Sequence, residues 1–446
     1  MNLRSLRRLL RRGYFRLKGY PIYRVREQLE QSQYWTRSNL AALQAEKLSR
    51  LIRHAYDTVP FYRERMDGQR LKPEDVQKPA DLVKLPILTR REIREAGNRL
   101  VSQAPGFRKP MRGTTGGSTG EPLVVWNDLR GTTFGMAAYF RGLGWAGYDL
   151  DRDKLAIMFA GSLKPGRSVV GPLRWGQRTL SLSALDARPE TVGEYFERLK
   201  RFNAGFLKGY GNATYLLARN LAEAGYPPIK FKAVFTTSEH LPDYQRSYIE
   251  DAFATEVFDY YGCVEITSLG YECPLHCGYH VPEEHAIVET IDDAEEIVRG
   301  PKGGAFAITD LDNYYMPLIR YRNGDAGVLM EEKCECGRTL RRISPLYGRM
   351  SDLLRSTDGN MVYGGIVDYV LGKTKHIREY CLIQEDADFC RLQYVKEQSD
   401  DEIAEVLANL RQFLGSDMKI ITEEVGKIPL TASGKRRFTM SRLNDR

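Results

Sequence analysis

Between residues 21 and 66 apolar side chains recur at steps of three and four, at Leu29, Tyr34, Leu40, Leu43, Leu48, Leu51 and Ile52. That period predicts helix, because it lays the apolar groups along one stripe. The stretch TVPFYRERM interrupts it with a proline. Over 82–110, DLVKLPILTRREIREAG predicts a turn and a short helix capped by Thr89, leading into a glycine-rich run. EPLVVW then reads as a strand, and residues 130–146 as a helix of small and aromatic residues. Beyond it, strand-like runs (KLAIMFA, GFLKGYG, KAVFTTSE, EVFDYYG) alternate with helical ones (ATYLLARNLAEAG, LPDYQRSYIEDAF), which predicts a parallel α/β sheet covered by helices. In such sheets ligands gather at the carboxyl ends of strands, where TTSE and YYGCVE fall. From 285 to 330 the pattern changes to short β segments, HAIVETI, EEIVRG, GAFAITDL and PLIRYRNGDAGVLM, which suit a barrel or meander. Past YGRMSDLLRS a compact α+β tail is expected, with strands at EYCLIQE, FCRLQYV and KIITEEV around the helix DDEIAEVLANLRQFLG. Its boundary is placed near Arg349.

A chain of 446 residues is expected to form two or more domains. Its 42% hydrophobic and 28% charged residues are those of an ordinary globular protein. There is no apolar run fit for a bilayer span or a signal core, so the expected location is the cytoplasm. The net charge of +8 is local. Residues 1–20 carry Arg4, Arg7, Arg8, Arg11, Arg12, Arg16 and Lys18 with no acid, which leaves the rest nearly neutral and argues against nucleic-acid binding. On a helical wheel Leu3, Leu6, Leu10, Tyr14 and Leu17 share one side and the basic residues take the other. This arm either packs on its own domain or lies through residues 1–18 on an anionic membrane, at the inner face.

The glycine run, TTGGSTGEP at 114–122, offers bare N–H groups and hydroxyls to oxygen anions, or serves as a flexible solvent loop. It is not a Walker loop, since Glu121 stands where the lysine would follow Gly120. A second cluster, ECPLHCGYH and KCECGRT, supplies Cys273, His276, Cys277, His280, Cys334 and Cys336. Two short thiolate and imidazole groups at this separation fit a closed, structural tetrahedral Zn²⁺ site, with six candidates for four places.

Six segments in order, TTGGSTGEPL, TTSEHL, YYGCVE, TDLDNYYMPLIRYRNGD, GRMSD and IPLTASGKRRF, resemble the core motifs of the adenylate-forming superfamily. The nearest branch is the phenylacetate-CoA ligase and CapK-like group, which shares the Y..VPFYRE opening, and the resemblance runs from about residue 25 to the end. It implies an α/β fold with a large adenylation domain (21–348), built of mixed sheets plus a barrel-like part and holding a zinc-like insert at 273–336. A small mobile α+β domain (349–446) would follow.

The implied activity is ATP- and Mg²⁺-dependent conversion of a carboxylic acid to an acyl-adenylate with release of pyrophosphate. Acyl transfer follows to a thiol, with CoA or a carrier thiol as the acceptor. By the same resemblance Thr114, Thr115, Gly116, Ser118, Thr119 and Gly120 hold the β and γ phosphates, and many relatives have lysine at the place of Glu121. Glu265 corresponds to the Mg²⁺ carboxylate, Tyr261 to the adenine-stacking ring, Asp325 and Arg349 to the ribose contacts and Asp352 to the hinge. Lys435 corresponds to the mobile lysine that bridges carboxylate and α-phosphate. The acid pocket would draw on Tyr139, Phe140, Trp145, Thr236, Ser238 and His240, suited to a flat aryl or short acyl acid, with Cys263 lining the pocket. Relatives assign the zinc to Cys273, His280, Cys334 and Cys336, and the CapK-like members associate with polysaccharide assembly. The rival reading is a nucleotide-binding scaffold in such an assembly, without turnover. The retained Glu265, Asp325, Arg349 and Lys435 argue against it.

Overall fold

The computed structural model describes residues 3–107, 110–114, 123–159, 178–301, 303–371, 374, 376–396, 402–431 and 435–443. The chain opens on helices α1 (Leu3–Leu17), α2 (Ile22–Ser32), α3 (Arg37–Thr58) and α4 (Pro60–Gly68). Thr36 caps α3 by accepting from the Asn39 N–H. Pro60 occupies the first turn of α4, where its missing N–H is no loss, so the expected break is also the next helix's start. In α5 (Arg90–Ala96) the Thr89 hydroxyl accepts from the Glu92 N–H and Glu92 accepts from the Thr89 N–H, a reciprocal cap that fixes the predicted start.

The basic arm packs on its own domain. Phe15 is buried in a cluster with Ile22, Leu29 and Phe140, and Arg11 pairs with Asp151 at 2.9 Å. The docked side is therefore the one carrying Arg11 and Phe15. On the leucine side Tyr14 packs against the same cluster, while Leu10 is 54% and Leu17 89% exposed.

A hairpin of β1 (Met111–Thr114) and β2 (Val124–Asn127) flanks the glycine run, and α6 (Leu129–Trp145) follows, capped by Asp128. The alternating region then gives β3 (Leu155–Met158), β4 (Thr179–Leu182), α7 (Val192–Phe202), β5 (Phe206–Tyr210), α8 (Gly211–Glu223), β6 (Ala233–Thr237), α9 (Asp243–Phe253) and β7 (Val257–Tyr261). These strands lie parallel in the order β4-β3-β5-β6-β7. Strand side chains alternate between faces, so two cores form. Ala156, Met158, Leu207, Val234 and Val257 pack beneath α7, α8 and α9. Leu155, Phe206, Phe235 and Phe258 pack toward α6 and α2. A Cβ added at Gly142 would collide with the Tyr271 ring, so the glycine lets α6 lie close on the sheet.

Past β7 the pairing turns antiparallel through β8 (Gly270–Glu272), β9 (Tyr279–His280), β10 (Ala286–Ile291), β11 (Gly304–Asp310), β12 (Tyr321–Met330) and β13 (Arg342–Arg349), in the order β7-β8-β9-β13-β12-β11-β10. The segment expected as barrel or meander is a meander joined to the parallel strands in one eleven-stranded sheet. EEIVRG is not a strand; Ile297 makes a lone bridge to Ile291. The cause is a turn in which Asp292 accepts from the N–H groups of Ala294 and Glu296.

The remainder comprises β14 (Leu354–Arg355), β15 (Met361–Val362), α10 (Gly364–Leu371), β16 (Ile377–Asp386), β17 (Phe389–Lys396), α11 (Ile403–Leu414), β18 (Lys419–Glu424) and β19 (Thr439–Ser441). Its sheet, β18-β17-β16-β19, is antiparallel in the centre and parallel at both edges, over a core of its own with Val367, Leu382, Leu392 and Leu410. No helix of the described residues is long and apolar enough to cross a membrane.

Candidate active site

The antiparallel register places Asp325 of β12 directly across from Arg349 at the end of β13. Their side chains meet at 2.9 Å, and the carboxylate beside it pushes the Arg349 pKa up. The other oxygen of Asp325 accepts from the Tyr261 hydroxyl at 2.7 Å and from the Asn323 amide at 2.8 Å. The Tyr261 ring itself is buried against Phe306. One strand over, Glu265 is buried and its Oε1 accepts from Arg90 at 3.0 Å and Tyr321 at 2.8 Å. Oε2 takes no hydrogen bond among the described residues. Four sequence segments far apart in the chain thus converge on one polar cluster.

Thr114, exposed at the end of β1, begins the glycine run; Thr115, Gly116, Ser118, Thr119, Gly120 and Glu121 lie outside the described residues. Close contact places the entry to that run. A Cβ on Gly113 would stand 2.9 Å from Val264, next to Glu265.

From the opposite side the C-terminal unit delivers Lys435. Its Nζ lies 5.7 Å from the centre of the Tyr210 ring, at the carboxyl end of β5. Burial lowers the Lys435 pKa while Glu239 opposes that shift. Glu239 follows β6 and accepts from the Asn212 N–H at 2.8 Å and the Arg436 N–H at 3.0 Å, so it holds the lysine's own backbone. Burial raises Glu239 to about 7. Asp352, the expected hinge, sits just past β13; its carbonyl accepts from Thr439 at 2.7 Å, and burial pushes its pKa up.

The expected acid-pocket residues divide. Tyr139 faces the sheet, where its hydroxyl accepts from Lys208 at 2.7 Å and its ring stands 6.0 Å from Tyr260. Phe140 is a core residue, packed toward α2 because consecutive helical residues point about 100° apart. Thr236 points to the far face and donates to Asp259 at 2.7 Å; its neighbour Thr237 is the one on the α6 side, beside Tyr260. Ser238 is exposed in a left-handed turn with φ 76°. Trp145 lies at the far end of α6, 5.5 Å from the His280 ring.

His240 leaves the pocket altogether and pairs with Asp368 of α10 at 2.8 Å, an interaction between the two units. Burial draws its pKa down, but the hydrogen bond and charge of Asp368, with Asp259 and Asp243 behind, bring the net shift above 6.5. The sign follows directly. The pair supports closure fully below the ordinary histidine pKa and is lost as pH rises through the raised value. A fluorophore pair spanning the units should report less closure as pH rises past the ordinary histidine range in the native chain, and a flat response in His240→Gln.

Cys273, His280, Cys334 and Cys336 bring their ligand atoms within 4.8 Å of one another. The His280 Nδ1 lies 3.1 Å from the Leu340 carbonyl, which leaves Nε2 facing Cys336 at 3.3 Å. Cys277 approaches Cys334 at 3.4 Å but receives Arg342, and His276 turns to Glu272.

Residues 354–442 match the family described as the CapK C-terminal domain. Phenylacetate-coenzyme A ligase of Thermus thermophilus is 28% identical over 337 residues, covering 71% of this chain and 72% of that protein. Protein CapK of Staphylococcus aureus is 23% identical over 430 residues, covering 91% of this chain and 90% of its own length. Over most of its length the chain is thus similar to phenylacetate-coenzyme A ligase and to protein CapK, and its C-terminal residues match the CapK family model. Among solved structures it shares the fold of 2-hydroxyisobutyryl-CoA ligase in the postadenylation state with R3-HIB-AMP. There the TM-score is 0.75 at 18% identity, over 93% of this chain and 92% of that one. Against the same ligase in the thioesterification state with 2-HIB-AMP and CoA the TM-score is 0.62.

Proposed function

We propose that the protein is an AMP-forming acid–thiol ligase that activates a carboxylic acid with ATP and passes the acyl group to CoA. The supporting observation is the meeting of Lys435, carried by the C-terminal unit, with Tyr210 and Glu239 at the strand ends, close enough to Asp325 and Arg349 for their charges to act on it. Attack of a carboxylate on the α-phosphorus is an in-line displacement that needs neutralisation of charge more than covalent help. Lys435 bridges the carboxylate and the α-phosphate. Asp325, held by Tyr261 and Arg349, accepts the ribose hydroxyls, and residues 114–120 take the β and γ phosphates. Glu265 would hold Mg²⁺ through Oε2, and the bound ion supplies positive charge to the phosphates.

The donor set of three thiols and one imidazole, with all ligand atoms within 4.8 Å of one another, fits a structural Zn²⁺. It joins the β8–β9 turn to the β12–β13 turn. Incubation with ATP and a panel of acids, without CoA, should yield an acyl-AMP detectable by mass spectrometry, converted to a thioester once CoA is added. Bound ATP without any adenylate across the panel would instead support the scaffold reading.

The arm's exposed Leu10 and Leu17, in a segment that carries seven basic residues and no acid, are proposed to rest on an anionic lipid surface, as an enzyme serving polysaccharide assembly at the inner membrane face would require. Full-length protein should sediment with phosphatidylglycerol vesicles and not with phosphatidylcholine ones. Leu10→Glu with Leu17→Glu, which spares the docked Arg11 and Phe15, should abolish this; unchanged sedimentation would refute it.

A further inference from the structure

On the α6 face of the parallel sheet, β5 presents Lys208 and then Tyr210, two positions apart and so on the same side, about 6.6 Å along the strand. Tyr210 is the residue beneath Lys435. Lys208 stands at the other end of the same wall. Its ammonium donates to the Tyr139 hydroxyl at 2.7 Å and lies 4.3 Å from the Tyr139 ring centre, 4.9 Å from that of Tyr260 and 5.5 Å from that of Phe159. Phe159 in turn meets Tyr210 edge to face at 4.9 Å, so the aromatic rings run from beneath Lys435 to the half-buried Lys208. Tyr139, Tyr260 and Tyr210 are each half-buried, which leaves their rings partly accessible from the pocket side.

We propose that Lys208 reads the far end of the acid, and that the substrate is an aryl or short acyl acid carrying an oxygen acceptor, hydroxyl or carboxylate, opposite its activated carboxylate. This rests on the adenylation reading, because Lys435 fixes which end of the pocket holds the reacting group. A flat ring would lie along Phe159, Tyr139 and Tyr260, with its far substituent at the Lys208 ammonium and the Tyr139 hydroxyl. An acid with only hydrogen at that end would press apolar surface against a charged group and lose that group's polar contact, which costs far more than an extra contact gains. Hydrogen-bonding sites discriminate through this asymmetry.

Acid-dependent exchange of labelled pyrophosphate into ATP tests it with matched pairs: benzoate and 4-hydroxybenzoate, phenylacetate and 4-hydroxyphenylacetate, pentanoate and glutarate. In the native chain at least one oxygen-bearing member should exceed its partner by about 100-fold in kcat/KM. Lys208→Met should erase or reverse that ratio while ATP binding persists, and Lys208→Arg should restore part of it. Equal or better exchange with the plain acids, or an unchanged ratio in Lys208→Met, overturns the inference and leaves adenylation standing. Silence with every acid, from protein that binds ATP, overturns both.

Discussion

Lys435→Ala should lower acid-dependent adenylation by about 10³-fold and leave acyl transfer from preformed acyl-AMP to CoA within about twofold of the native rate. The split follows from where the lysine sits. Lys435 is held over Tyr210 by a turn in which its N–H donates to Thr431 and the neighbouring Arg436 N–H donates to Glu239, so it reaches the site only while the C-terminal unit is docked. On the proposed mechanism the unit would rotate for the second half-reaction, taking the cation with it, so that its loss would no longer matter. Removing a preorganised charge from a developing phosphoryl transition state costs about 4 kcal/mol, which sets the size of the first effect. Equal loss in both half-reactions, measured by single-turnover kinetics, would mean that the lysine supports the fold or the docking and not the chemistry.

Cys334→Ser should lower the Tm of the large domain by about 10 °C, and metal analysis of the native protein should find one zinc per chain. Cys334 is buried, and its sulfur stands 3.8 Å from that of Cys273 across two turns that are 61 residues apart in the chain. Without the metal, three thiols and an imidazole would crowd a buried space with few hydrogen bonds to offer one another. Trp145 on the His280 ring and Arg338 over the Trp145 ring tie the same corner to the end of α6, so its loosening would lower the stability of that layer. The site has only protein ligands, so below the melting transition the variant should keep its adenylation rate. A variant with native Tm and no bound zinc would show the cluster to be a thiol pocket and not a metal centre.

The period of three and four in α3 and the reciprocal cap at Thr89 were legible because both are local, set by residues within one or two turns. Helix α7 carries the same signal at Val192, Tyr195, Phe196 and Leu199 and was open to the same reasoning. The four Cys/His residues were legible once the resemblance ranked the six candidates, because thiol and imidazole at short spacing have few other uses. Pocket membership was not. Thr236 and Thr237 differ only in strand parity, and one residue decides whether a hydroxyl faces α6 or Asp259. His240 and Phe140 were misplaced for a related reason, since a partner on another element, Asp368 or α2, claims the side chain. Glu239 stood inside a quoted motif and Lys208 inside a quoted strand, yet their significance comes from Arg436 and Tyr139, each distant in the chain. Arg90, which meets Glu265 from 175 residues away, had no sequence signal at all.

The central claim is that a carboxylate, ATP, Glu265 and Lys435 meet in one reversible adenylation step. Carboxylate-dependent exchange of labelled pyrophosphate into ATP measures that step alone, independent of the acceptor thiol. Exchange with at least one acid in the native chain, abolished in both Lys435→Ala and Glu265→Ala, is the predicted result. Exchange that persists in both variants, or none from protein that binds ATP across aryl, fatty, hydroxy and amino acids, would contradict it.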